Sequence, residues 1–153
     1  MYKKYIGLTF LIITLVIFQT SFFSVFFTDG LNPALVISLI FAFFLLDRTN
    51  YALFSALVGG LTLDLLGFSL VGSSPLIFVS LVFASLLVRK YILKNLFSQS
   101  VLCVISFLIY TSIITYPNKL DFVTVIWGAI LTLLCSYLIS YLLSNLINER
   151  KYL

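Results

Sequence analysis

The chain contains no histidine, and Lys, Arg, Asp and Glu together make up only 9% of its 153 residues. Without imidazole it lacks the most common general base and the most common nitrogen ligand of metal sites. With so little charge it could not cover a globular surface in water, where roughly a quarter of residues are charged. Its two cysteines, Cys103 and Cys135, sit inside apolar stretches and form no Cys-x-x-Cys, so the usual zinc sets cannot be assembled. Both read as small packing residues. No Ser-Lys pair or carboxylate pair is apparent within the apolar segments either, so no catalytic residue, cofactor site or metal site is assigned and an enzyme is not expected.

What is present is hydrocarbon. Hydrophobic residues reach 62% and the mean hydropathy is +1.20. Lipid is therefore the expected solvent, and inside lipid every backbone N–H and C=O needs an internal partner, which leaves helices or closed barrels. Runs such as 12–18 and 35–46 are predominantly Leu, Ile, Phe, Val and Ala with no alternation of period two, so helices are expected. The net charge of +4 comes from short basic runs between apolar segments. That pattern matches membrane topology signals and contact with lipid head groups, and no nucleic-acid binding is expected.

The punctuation of the chain divides it into six predicted membrane helices in one domain, residues 1–153, with helices at about 5–27, 33–46, 51–67, 74–88, 98–116 and 122–147. The first run is too long for the apolar region of a signal peptide and lacks a small-residue cleavage site. Asn32 and Pro33 suit the cap and first turn of the second helix, and Ser74 and Pro75 those of the fourth. Asp47 to Asn50, Arg89 to Asn95 and Pro117 to Asp121 are polar breaks, while Gly67 to Ser74 reads as a turn. With six crossings, Lys3, Lys4, Arg48, Arg89, Lys90, Lys94, Arg150 and Lys151 share one side and only Lys119 lies on the other. Basic residues are retained in the cytoplasm, so both termini are predicted there. Tyr2, Tyr5, Tyr51, Tyr91 and Tyr152 fall near that inner interface, and Tyr116 and Trp127 near the outer one.

Two stripes of small residues interrupt the hydrocarbon. Ala52, Ala56, Gly60 and Asp64 follow one another at intervals of four, which places them on one helix face. Small residues there admit a close neighbour, so Asp64 is expected to point into protein. An intramembrane carboxyl is a candidate functional group by default. The bland role, pinning the following turn, is favoured because no second ionisable residue accompanies it. Its expected partners are N–H groups of the 67–74 turn, the hydroxyls of Ser73 or Ser74, or Lys119. Gly128, Thr132, Ser136, Ser140 and Ser144 form a second stripe, read as helix packing rather than a hydrophilic path.

The stretch Gly59-Gly60-Leu61-Thr62-Leu63-Asp64-Leu65-Leu66-Gly67, followed by Leu70-Val71-Gly72 and Leu76, resembles the signature region of the bacterial rod-shape-determining MreD family. Gln19-Thr20-Ser21 and Asn32-Pro33-Ala34-Leu35-Val36 are similar to two further motifs of that family. The resemblance covers about the first 90 residues, with departures at Ala34, around Tyr51 and at Val71. It implies a non-enzymatic component of the cell-elongation machinery in the cytoplasmic membrane. Such a protein would bind MreC and link MreB filaments to peptidoglycan synthesis by RodA and its transpeptidase partner. Gly60, Asp64, Gly67 and Gly72 would belong to the signature region. The layout is also similar to that of the S-components of energy-coupling-factor vitamin transporters, and a substrate-binding role of that kind stands as the alternative.

Overall fold

A computed structural model describes residues 2–23, 34–67, 72–91, 96–115 and 122–149. These residues are helical throughout, apart from short junctions, and no strand occurs among them. Helix α1 spans Tyr2–Ile17 and continues as a π-helical turn, Phe18–Phe23. Then follow α2 (Leu35–Leu45), α3 (Thr49–Gly67), α4 (Ser73–Tyr91), α5 (Leu96–Thr115) and α6 (Phe122–Glu149).

Several helices run past the bounds expected from hydropathy. α1 begins before Tyr5, α4 continues through Arg89 and Lys90, and α6 reaches Glu149. The reason is that the edge of an apolar run marks where a helix would leave hydrocarbon, and the backbone hydrogen-bond ladder need not stop there. The break at 47–50 is narrower than expected because a tight C-terminal motif closes α2. Arg48 N–H donates to the Phe43 carbonyl at 2.9 Å and Asp47 N–H to the Phe44 carbonyl at 3.2 Å, with Asp47 in the left-handed region at φ 57°. This is the paired bonding of a Schellman turn, and it lets α3 start at Thr49. The expected caps Asn32 and Pro33, the connection 68–71, Lys94 and Asn95, and the stop at 117–121 lie outside the described residues.

α2 forms the centre of the bundle. Every residue from Leu35 to Phe44 is buried, as expected for a helix that is apolar all round. α3 and α6 make its largest interfaces, with α5 and α1 completing the ring. At 11 residues α2 is shorter than expected and only about 16 Å long at 1.5 Å per residue, well under the roughly 30 Å of a bilayer core.

Three helices are long and apolar enough to cross a membrane, through the windows Tyr5–Phe22, Thr49–Leu66 and Val125–Asn145. Shorter apolar stretches occupy Leu35–Leu45, Ser73–Leu87 and Ser100–Ser112. Large apolar side chains point outward, among them Phe10, Leu65, Leu76, Leu87, Val123 and Leu138, each more than 60% exposed. Such a surface suits lipid and would be a liability in water.

Neighbouring contacts give the helix directions. Tyr5 of α1 packs on Tyr51 and Phe54, and Ile12 lies beside Gly59, so α1 and α3 run parallel. Ser38 meets Thr132, while Phe41 and Leu45 line one cleft with Ser136 and Tyr137, so α2 and α6 run parallel as well. Phe78 stacks near Tyr110, and Ser100 bonds Tyr137, which makes α4 and α6 each antiparallel to α5.

Candidate functional site

The stripe on α3 is buried along its whole length. Ala52 and Ala56 are fully enclosed, Gly60 is buried, and Asp64 is 1% exposed. At Gly60 the absence of a side chain lets α4 approach: a Cβ there would lie 2.5 Å from the backbone nitrogen of Pro75 and 2.6 Å from its Cα. Backbone atoms cannot rotate aside, so only glycine fits this crossing. One turn further on, Asp64 reaches across the same interface.

The Asp64 carboxylate accepts backbone hydrogen bonds from the start of α4. Its Oδ2 accepts from Gly72 N–H at 2.7 Å and from Ser74 N–H at 3.2 Å, and its Oδ1 lies 3.3 Å from the same Ser74 nitrogen. The first four N–H groups of any helix lack intrahelical acceptors. Here one of them is supplied by a carboxylate from the preceding helix, at the positive end of the α4 dipole. That placement offsets the unfavourable position of Asp64 near the C-terminus of its own helix. Gly72 holds the junction with φ +103°, a conformation suited to glycine, and its carbonyl accepts the first α4 bond from Leu76 N–H at 3.3 Å. Pro75 follows in the first turn, where its missing N–H costs nothing. Gly67 is the last residue of α3. Among the candidate partners of Asp64, Lys119 lies outside the described residues.

The ring of Tyr110 on α5 sits 5.1 Å from that of Phe78 on α4. No spacing rule links Tyr110 to Phe78, because the two meet only through the packing of α4 and α5.

The second stripe splits in two. Gly128, Thr132 and Ser136 are buried, whereas Ser140 and Ser144 are only half-buried and donate to carbonyls of their own helix, Tyr137 and Tyr141, at 2.8 Å each. A spacing of four slightly exceeds one turn, so the stripe rotates out of the interface as it lengthens. Thr132 is its centre. The Thr132 hydroxyl donates to the Gly128 carbonyl at 2.7 Å and accepts from Ala34 N–H at 3.3 Å. Ser38 donates from Oγ to the Thr132 carbonyl at 2.9 Å and lies 3.1 Å from the Ala34 carbonyl. Ala34 supplies no side-chain cap to α2, so Thr132 of α6 serves that end instead. Ser38 carried a legible signal, being the one hydroxyl in the run Leu35–Leu45, yet no periodicity singled it out.

Polar surplus is small elsewhere. Gln19, in the π-helical turn, is 6% exposed and its Oε1 has no hydrogen-bond partner. Among the described residues no three His, Cys, Asp or Glu side chains gather, and both cysteines are unpaired. The clefts between α2 and α4 and between α2, α5 and α6 each measure about 10 Å³, space for about one water. This arrangement can tie helices together and fix the start of α4. No family model, no characterised protein and no solved structure matches the chain.

Proposed function

We propose that this is an integral membrane protein with six crossings and both ends in the cytoplasm, acting as a non-enzymatic, MreD-like component of the bacterial cell-elongation complex. In this reading it binds MreC and so links MreB filaments to peptidoglycan synthesis by RodA and its transpeptidase partner. The observation that carries the reading is the α3–α4 junction. Gly60, Asp64 and Gly72, the residues on which the family resemblance rests, form one interlocked crossing in which the carboxylate bonds backbone N–H groups. A carboxylate engaged in this way has a scaffolding task.

The alternating helix directions and the eight-to-one division of basic residues support the six-crossing reading.

The decisive experiment is genetic and biochemical together. The gene should lie beside genes for MreB and MreC, its depletion should round rod-shaped cells, and the protein should co-purify with MreC from detergent extracts. Vitamin binding by the purified protein, with cell shape unchanged on depletion, would overturn the proposal in favour of an S-component.

A further inference from the structure

We draw no further inference here: the strongest candidate, the outward-facing apolar groove between α3 and α4 lined by Leu57, Pro75, Leu76, Val79 and Phe83, carries nothing because nothing in the structure shows whether lipid, a second copy of the chain or another helix covers it.

Discussion

Asp64 and Gly60 make opposite demands on the α3–α4 crossing, one for an acceptor and the other for empty space. Replacing Asp64 by Asn keeps one carbonyl oxygen that can still face the Gly72 and Ser74 N–H groups, so folding should survive with a loss of about 1 kcal/mol. Replacing it by Leu removes both oxygens and strands two donors, and bonds to a charged acceptor are worth roughly 1.5–3 kcal/mol. Asp64→Leu should therefore lose about 3 kcal/mol in a denaturant titration of the protein in micelles, with faster amide exchange at Gly72 and Ser74. Equal losses for the two variants would mean that the charge, rather than the acceptor oxygens, holds the junction. At Gly60 the expected sign is reversed from ordinary helix behaviour. Gly→Ala in a helix usually gains roughly 0.5–1 kcal/mol, and Gly7, with nothing within 4 Å of its added Cβ, should follow that rule. Gly60→Ala instead drives a methyl into Pro75 backbone and should cost about 1–3 kcal/mol. A Gly60→Ala protein as stable as the Gly7→Ala protein would show that the two helices can part without penalty.

Between elements, the α2–α6 contact depends on a few hydroxyls inside hydrocarbon. Thr132→Val preserves shape but removes the acceptor for Ala34 N–H, and interhelical hydrogen bonds in membranes average roughly 0.6 kcal/mol, with some reaching about 1.7. Because the freed N–H belongs to the buried start of α2, the cost should approach the upper figure, and Thr132→Ser should recover most of it. Thermal unfolding in a single detergent would compare the three proteins, and a Thr132→Val protein that matches the parent would remove Thr132 as the surrogate cap of α2. This contact also marks the limit of what the chain reveals unaided. The spacing of four along Ala52, Ala56, Gly60 and Asp64 is a property of one helix, so its buried face was legible before any neighbour was known. The same arithmetic on the second stripe holds from Gly128 to Ser136 and fails at Ser140, where the drift of the helix carries the hydroxyls out of the interface. Spacing singles out neither Ser38 nor Tyr110, because their partners, Thr132 and Phe78, are distant in sequence and brought to them only by packing. The start of α2 is fixed across the bundle for a related reason. Hydropathy marks the apolar run, but Thr132, ten residues along α6, determines where Ala34 is met.

For the whole molecule, helix direction and charge both bear on the proposed arrangement. α1 runs parallel to α3 and α2 to α6, while α4 and α6 oppose α5, as a chain that reverses at each connection requires. The Schellman turn at Asp47 and Arg48 then shares an end with the start of α1 and the finish of α6, and the proposed six-crossing arrangement would gather eight of the nine basic residues there. In the proposed six-crossing reading, retention of Lys and Arg in the cytoplasm would put this end inside. Labelling can test the assignment in a background in which Cys103 and Cys135 are replaced by Ala. Asn50→Cys, on an exposed position beside the turn, should react with a membrane-impermeant maleimide only after the cells are permeabilised, whereas Asn118→Cys should react in intact cells. Labelling of both positions from the same side would require an odd number of reversals between them. The parallel pairing of α2 with α6 would then have to be rebuilt, and with it the six-crossing arrangement.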